Sequence, residues 1–238
     1  SPADGYTIVL TSPLIALGPL LYSKLNYDPF KDLQPLSLVA TIQNVLLVHP
    51  SVPAKTLKEL IQIASKSPGK LSYGSGGVGT TTHLAPELMK SLTKTNIVHV
   101  PYKGSGQALI GLMGGDVDVL IMAVPASAPQ VQSGKVRALA VTSPKHSPLA
   151  RDLPPIADVL PGYANESAIG LFAPKKTPSS IIKLLNTHTQ QALKALDPNL
   201  VAGNGVEVVA SSPEEFARFI KADMSKMAEV IKSGSFAN

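Results

Sequence analysis

The chain has 238 residues, of which 44% are hydrophobic and 16% charged, and it contains no cysteine. This composition is typical of a folded globular protein, and it excludes disulfides, thiolate nucleophiles and cysteine-bound metals. The net charge is +5, but the 21 Lys and Arg residues form no basic run, which argues against nucleic acid as a partner.

Apolar strand-like runs alternate with helical patterns along the chain. The runs lie at 6–10, 36–40, 45–48, 71–73, 97–100, 119–122, 138–142, 168–172 and 206–209. This alternation favours an α/β fold with mainly parallel strand pairing. No apolar run approaches the roughly 18 residues that a membrane span requires, so we do not expect the chain to cross a membrane.

The start of the chain, SPADGYTIVL, has neither the basic start nor the long apolar core of a signal peptide. A turn at Asp4 and Gly5 precedes residues 6–12, which we interpret as a buried strand. We therefore expect the chain to begin at the edge of a sheet whose earlier strands are not part of this sequence.

Two later helices have clear starting signals. Thr56 with Glu59, and Ser212 with Glu215, both have the spacing of a capping box, in which side chains at the start of a helix bond main-chain N–H groups reciprocally. We interpret both helices as scaffold and assign them no chemistry.

A glycine-rich segment, KLSYGSGGVGTTTHLAPELMKSL at 70–92, joins a predicted strand to a predicted helix. Gly74, Gly76 and Gly79 fit the spacing G-x-G-x-x-G of a dinucleotide-binding loop. That interpretation needs an acidic residue at the end of the next strand, but TNIVHVPYKG at 95–104 contains no Asp or Glu. Neither PGKLS nor SGKVR supplies the Gly-Lys-Ser/Thr ending of a P-loop, so we expect no nucleotide cofactor.

The same loop has the composition of a carboxylate site. A glycine turn followed by Thr80, Thr81 and Thr82 presents main-chain N–H groups, hydroxyls and the positive end of a helix dipole. Pro86 places the helix start at 81–84, because proline is tolerated only near the first turn of a helix. The alternative is that the threonines only cap a helix beside a tight turn, and the residues alone leave both interpretations open.

A second segment, HVPYKGSGQALIGLMGGDVDVLI at 99–121, repeats the order of strand, glycine-containing turn and helix. In a doubly wound sheet, neighbouring strand-to-helix loops lie at the carboxyl edge, where ligands bind. Two turns suited to anions would then face one crevice.

Patterns for catalysis are weak. Ser75 and Ser105 lack the glycine two positions upstream that a G-x-S-x-G nucleophile elbow requires. Asp116 and Asp118 are predicted to be turn and strand-edge residues rather than a catalytic acid pair. We therefore predict no catalytic residues.

Metal binding has little support either. The five histidines show no H-x-x-x-H pair, and His83 with Glu87 on one helix face is a pairing that is common by chance. A scaffold or interaction protein stays open as a third class, because its mark, a large exposed apolar patch, is not visible in a sequence.

Six segments carry a resemblance: HPSVPAKTLKELI, GKLSYGSGGVGTTTHLAPEL, VHVPYKGSGQALIGLMGGDVD, GKVRALAVTSPKHSPL, GLFAPKKTP and SPEEFARFIKADMSKMAEVIK. Together they resemble the extracytoplasmic solute receptors of the tripartite tricarboxylate transporter type, often called the Bug family. The similarity extends over essentially the whole chain, and it is the order and spacing of the segments that make it specific.

The resemblance implies an α/β, two-lobe periplasmic binding protein of the type II, Venus-flytrap fold, which closes on a small carboxylate or dicarboxylate in an interlobe cleft. Lobe one would comprise residues 1–44 and 168–238, with its N-terminal part missing, and lobe two residues 45–167. Such a receptor is not an enzyme, uses no cofactor, and delivers its ligand to the membrane permease components of the transporter. The competing interpretation is an α/β nucleotide-binding or hydrolytic enzyme that uses the Gly74 to Gly79 loop.

The family binds its ligand mainly through loop N–H groups and hydroxyls. Carried onto this chain, the implied contacts are Ser75, Gly76, Gly79, Thr80, Thr81, Thr82, Tyr102, Lys103 and Gly104 in lobe two, with Thr11 and Ser12 in lobe one. Neutral donors suit a releasable carboxylate, because fixed dipoles bind it without the desolvation cost of a buried charge. One departure is Ala123, since relatives often carry Asp or Asn in that turn.

Overall fold

The computed structural model describes residues 1–144, 146, 150, 152–203 and 205–233. The chain folds into two compact units: the first is formed by Ser1–Ile42 and Ser167–Ile231, and the second centres on Gln43–Glu166. No helix among the described residues is both long enough and apolar enough to span a membrane.

The elements follow one another in the order that the sequence predicts. The strands are β1 (Val9–Thr11), β2 (Leu33–Ile42), β3 (Asn44–Val48), β4 (Ser72–Ser75), β5 (Val98–Pro101), β6 (Val119–Ala123), β7 (Arg137–Val141), β8 (Ser167–Pro174) and β9 (Val206–Val208). The helices are α1 (Gly18–Leu21), α2 (Pro29–Asp32), α3 (Leu57–Lys66), α4 (Thr81–Thr93), α5 (Ser105–Gly114), α6 (Val124–Gln132), α7 (Ser179–Lys194), α8 (Pro198–Gly203) and α9 (Pro213–Ser233). Each predicted strand is present, with bounds that differ by a few residues.

The first unit is built on a four-stranded sheet with the order β1-β8-β2-β9, and its pairings are antiparallel. Helix α9 packs on this sheet through Phe216, whose ring is fully buried against Phe172 of β8. The predicted capping box of α9 is confirmed: the Glu215 N–H donates to Ser212 Oγ at 3.2 Å, and the Ser212 N–H donates to Glu215 Oε2 at 2.8 Å.

The prediction of a buried first strand is wrong. Strand β1 has three residues and lies at the sheet edge, where it pairs with β8 alone. Tyr6 is 94% exposed and Leu10 60% exposed, because nothing among the described residues covers them. The apolar run therefore predicted the strand correctly but did not predict its exposure, because the burial of a strand depends on which elements pack against that strand.

The second unit is built on a five-stranded sheet with the order β5-β4-β6-β3-β7. Strand β4 runs parallel to β5 and β6, and β3 runs antiparallel to β6 and β7. The core under α5 includes Leu47, Leu112 and Leu120, all fully buried. The capping box that starts α3 is confirmed, with the Glu59 N–H donating to Thr56 Oγ1 at 3.2 Å.

The prediction of mainly parallel pairing is wrong. Within the described part of the chain, five of the seven strand pairings are antiparallel. Parallel pairing occurs where α4 and α5 serve as crossovers between β4, β5 and β6, because a parallel neighbour requires such a long connection. These three strands end at the same edge of the sheet, and α4, α5 and α6 begin there.

Candidate functional site

The loop after β4 is built around glycines in left-handed conformations. Gly77 has φ of 123° and Gly79 has φ of 79°, which residues with a side chain adopt only at a cost. Helix α4 then begins at Thr81, with Thr80 as its extended N-cap residue at φ −76° and ψ 162°. The predicted helix start at 81–84 is confirmed.

Side chains within the loop bond its own main chain. The Gly76 N–H donates to Thr82 Oγ1 at 2.7 Å, and the Gly77 N–H donates to Ser75 Oγ at 3.1 Å. The Thr80 hydroxyl donates to the Gly77 carbonyl oxygen at 2.7 Å and lies 2.9 Å from Thr82 Oγ1. Three of the predicted ligand-contacting side chains therefore have structural partners inside the loop.

Two further amides of the turn are also bonded. The Gly79 N–H donates to His83 Nδ1 at 3.0 Å, and the Thr80 N–H donates to the Gly77 carbonyl oxygen at 3.3 Å. The expectation that unpaired main-chain N–H groups line this turn is therefore wrong for Gly76, Gly79 and Thr80. The reason is that a nearby hydroxyl, an imidazole and the Gly77 carbonyl oxygen supply acceptors, which the sequence pattern did not indicate.

Unpaired donors begin one residue later, at the first turn of α4. The N–H groups of Thr81 and Thr82 have no hydrogen-bond partner among the residues that the structure describes, and the N-cap residue makes no side-chain bond to them. The first N–H groups of a helix lack intrahelical acceptors and carry the positive end of the helix dipole. An anion at this position would satisfy them.

The second predicted loop has the same form. Gly104, with φ of 117°, is the N-cap residue of α5 and provides no side-chain cap. The N–H groups of Ser105, Gly106 and Gln107 have no partner within the described part of the chain, and they are exposed. Lys103 is exposed next to them and forms no ion pair with a described residue.

Tyr102 lies in this loop but its ring belongs to the core. A Cβ atom added to Gly74 would come within 3.4 Å of the ring, and one added to Gly111 would overlap it. Burial raises the pKa of the Tyr102 phenol, and the charge of Asp116 adds to the effect. The Tyr102 N–H donates to the Ser75 carbonyl oxygen at 2.9 Å, so this residue ties the two loops together.

The two loops touch. A Cβ atom added to Gly76 would lie 2.9 Å from the main-chain nitrogen of Ser105, which is closer than real side chains approach a backbone atom. The starts of α4 and α5 are therefore neighbours at the carboxyl edge of the sheet. Neither loop contains an acidic residue, so the local field favours an anion.

Two stacked histidines lie beneath the first loop. The rings of His83, on α4, and His99, on β5, have centroids 4.1 Å apart and are 17° from parallel. His99 Nε2 is 2.6 Å from Ser75 Oγ, and the ring of His99 also stacks on Tyr73 at 4.8 Å. Sequence reasoning missed this cluster, because its members come from three different elements.

Charged groups complete the cluster. The Tyr73 hydroxyl donates to Glu87 Oε1 at 2.6 Å, and Glu87 is paired with Lys90. Burial lowers the pKa of His83 to about 3, with smaller contributions from His99 and Lys90. Burial also lowers the pKa of His99. The charge of Glu87 acts to raise this pKa, and the charge of Lys90 acts to lower it. The spacing of His83 and Glu87 on one helix face was the single signal in the sequence.

The predicted site residues of the first unit have structural roles of their own. Ser12 Oγ accepts the Leu14 N–H at 3.3 Å and caps the short 3-10 helix Pro13–Leu17. Thr11 lies opposite Gly170 in the pairing of β1 with β8. Their contact with a ligand stays a prediction.

Asp118, one of the two aspartates near β6, has a structural role. Asp118 Oδ2 accepts the Ser72 N–H at 2.8 Å and the Ser72 hydroxyl at 3.1 Å, so Asp118 anchors the start of β4. No group of three or more His, Asp or Glu residues among those described is arranged to hold a metal. These contacts are structural.

The sequence profile of the Tripartite tricarboxylate transporter family receptor matches residues 1–235. The chain belongs to this family. It is therefore a solute receptor rather than an enzyme, and the identification of the family from sequence segments is confirmed.

Solved structures of similar proteins have the same fold. A protein of R. palustris, solved with adipate, is 36% identical with a TM-score of 0.86, and the alignment covers 98% of this chain and 79% of that one. The periplasmic binding protein BugD is 30% identical with a TM-score of 0.83, covering 98% and 79%. MatC of Rhodopseudomonas palustris, with bound malate, is 27% identical with a TM-score of 0.84, covering 97% and 81%. The receptor has the α/β periplasmic-binding-protein fold, as predicted.

Proposed function

We propose that the chain is a periplasmic receptor for a small organic carboxylate or dicarboxylate, which it delivers to the membrane permease components of a tripartite tricarboxylate-type transporter. Membership of the receptor family supports the transport role. Similar proteins were solved with adipate and with malate, which are both dicarboxylates at neutral pH. We also propose that the two compact units are the lobes implied by the resemblance.

The observation that carries the choice of ligand is the contact between two uncapped helix starts. The N–H groups of Thr81 and Thr82 lie at one start and that of Ser105 at the other, and Gly76 brings the two together. A carboxylate has two oxygens with several lone pairs, so one group can accept from more than one of these donors. A hydrogen bond to a charged acceptor contributes about 1.5–3 kcal/mol, and a few of them give an affinity near micromolar.

The absence of an arginine or other buried cation in these two loops suits a receptor that must release its ligand. Lys103 is exposed, so its charge attracts an anion without being buried in the bound state. Main-chain dipoles bind without the desolvation cost of a buried fixed charge. The contributions of Thr11, Ser12 and the loop side chains to binding remain part of the proposal.

Replacing Thr81 by proline tests the main-chain donor directly. Thr81 is the first residue of α4, a position where proline is accommodated, and the extended Thr80 before it is compatible with a following proline. Thr81→Pro removes the N–H while the helix remains. We expect the dissociation constants for adipate and malate, measured by calorimetry, to rise about tenfold or more.

Two matched variants separate the alternatives. Thr81→Ala keeps the N–H and loses the hydroxyl, so a rise of only a few-fold is expected. Ser179→Pro places proline at the first position of α7, where Ser179 is exposed. This variant should leave the affinity for the ligand unchanged. If neither adipate, malate nor a wider panel of carboxylates raises the melting temperature of the wild-type protein, the proposed function is wrong; a ligand at 100 times its dissociation constant should add about 2.7 kcal/mol.

A further inference from the structure

The path of the first loop is determined largely by side chains that lie beneath it. Gly77 and Gly79 have no side chain, and each main-chain N–H donates to a side-chain acceptor, Ser75 Oγ and His83 Nδ1 respectively. Ser75 Oγ in turn lies 2.6 Å from His99 Nε2. Gly79 is therefore bonded directly to the imidazole of His83, and Gly77 is connected to the imidazole of His99 through Ser75 Oγ.

The two imidazoles are themselves held in place. They are stacked at 4.1 Å, and His83 is 3% exposed. His99 also stacks on Tyr73, whose hydroxyl donates to Glu87. A stack of this kind, with rings drawn from α4, β4 and β5, cannot reorient one ring without disturbing its neighbours.

The bond to Gly79 requires an unprotonated Nδ1 on His83. A main-chain N–H can donate only to a ring nitrogen with a free lone pair, so His83 must be neutral with its proton on Nε2. Among the described residues, the rings of Tyr73 from β4 and His99 from β5 stack with this imidazole. Lys90 of α4 acts on it electrostatically and is paired with Glu87 of the same helix, which also accepts the Tyr73 hydroxyl. Burial among them keeps the ring neutral.

We propose that His83 and His99 are positioning residues of the ligand site: they hold the glycine loop in one conformation and so preset the free N–H groups at the starts of α4 and α5. Neither imidazole needs to touch the ligand. His83 acts through the Gly79 N–H, and His99 acts through Ser75 Oγ. This inference rests on the proposed function for its effect on affinity, but its effect on the loop does not depend on any ligand.

The energetic reason is conformational entropy. Glycine loses more backbone freedom on ordering than any other residue, so a loop that contains Gly77 and Gly79 is costly to order if nothing holds it. A loop that is already held before the ligand arrives has that cost removed from the binding step. Without the His83 acceptor, the Gly79 N–H would lose its partner and the loop would be less ordered before binding. The ligand would then bind more weakly, because the entropy cost of ordering the loop would fall on the binding step.

Three variants test the proposal. His83→Leu removes the acceptor and retains an apolar side chain of similar size. His83→Asn places an amide oxygen near the position of Nδ1, so it preserves the acceptor and loses the ring. His188→Asn changes an exposed histidine of α7 in the first unit and serves as the control.

The first measurement is amide hydrogen exchange of Gly77 and Gly79 by NMR, without ligand. We expect His83→Leu to speed exchange at Gly79 by about tenfold, His83→Asn to restore most of the protection, and His188→Asn to change nothing. The second measurement is the dissociation constant for adipate, which should rise about tenfold for His83→Leu and a few-fold for His83→Asn. Global melting is recorded for each variant, so that local loosening is distinguished from general instability.

The outcomes separate this inference from the proposed function. Unchanged Gly79 exchange in His83→Leu would overturn the positioning role, whatever the ligand data show. Faster exchange with an unchanged affinity for adipate would overturn the claim that the loop presets the site. If the wild-type protein does not bind adipate or any other carboxylate, the proposed function fails, and the exchange data alone decide whether the histidines hold the loop.

Discussion

At the scale of the residue, His83 is an imidazole that the fold keeps neutral. Its pKa is lowered from 6.5 to about 3, chiefly by burial, with smaller effects from His99 and Lys90. Below pH 6.5 the unfolded chain takes up a proton at this position that the folded chain does not accept until the pH approaches the lower value. The free energy of unfolding should therefore fall as the pH decreases through this window.

We predict that this pH dependence is weaker in His83→Asn. Between about pH 7.5 and about pH 5, above the range where most carboxylates titrate, the melting temperature of the wild-type protein should fall more steeply than that of the variant. His188→Asn is the control, because His188 is exposed. Parallel curves for wild type and His83→Asn would show that the ring is not buried in neutral form.

Individual residues of the site were predictable only where the signal is local. The start of α4 at Thr81 follows from threonines after a turn and from Pro86 nearby. The hydrogen bond from the Gly79 N–H to His83 was not predictable, because the spacing of the glycines does not indicate which side chain accepts from their N–H groups. The stack of His83 on His99 depends on the pairing of β4 with β5, which lies outside any local pattern.

At the scale of the element, the packing of α9 on β8 depends on the absence of a side chain at Gly170. A Cβ atom added there would overlap the buried ring of Phe216. The ring also packs against Phe172 at 5.0 Å, so it has little room to move away. The close approach of helix to strand is therefore specific to glycine.

We predict that Gly170→Ala lowers the stability of the first unit. Overpacking of a filled core costs about 1–3 kcal/mol, which a denaturant titration measures readily. Gly203→Ala, at the end of α8, meets open space and should change stability by only a few tenths of a kcal/mol. A Gly170→Ala protein as stable as wild type would show that α9 can shift away from the sheet.

The existence of the strands and helices was predictable because periodicity and capping are local. The direction of pairing was not, since an apolar run such as β3 has the same composition whether its neighbours are parallel or antiparallel. The exposure of β1 was likewise not predictable, because it depends on which elements cover the edge of the sheet.

At the scale of the molecule, the second unit contains a complete sheet and its own buried core. Its strands β3 to β7 pair with one another, and its core residues come from the same continuous stretch of chain. Its loops and its histidine stack also lie within Gln43–Glu166. Folding of this unit should therefore not require contacts from the remainder of the chain.

We predict that a fragment of residues 43–166 folds cooperatively alone. Its amide shifts for the glycine loop should match those of the whole protein, and its thermal transition should be sharp by circular dichroism. A fragment that ends at Asp118 lacks β6 and β7 and should remain unfolded. A broad, non-cooperative melt of the longer fragment would contradict this prediction.

Family and fold class were predictable at this scale from the order of short segments over the whole chain, because such an order is rarely shared by unrelated proteins. The detailed site was less predictable, since it depends on how separate loops meet. Gly76 and Ser105 are distant along the sequence but meet in the structure, and so do Ser75 and Tyr102.

The contact of Gly76 with Ser105 has a mechanical consequence. Because only a hydrogen atom fits between the glycine and the amide nitrogen, neither loop can advance toward the other, and a displacement of one must be transmitted to its neighbour. A change in the position of the first loop is therefore felt at the start of α5 as well.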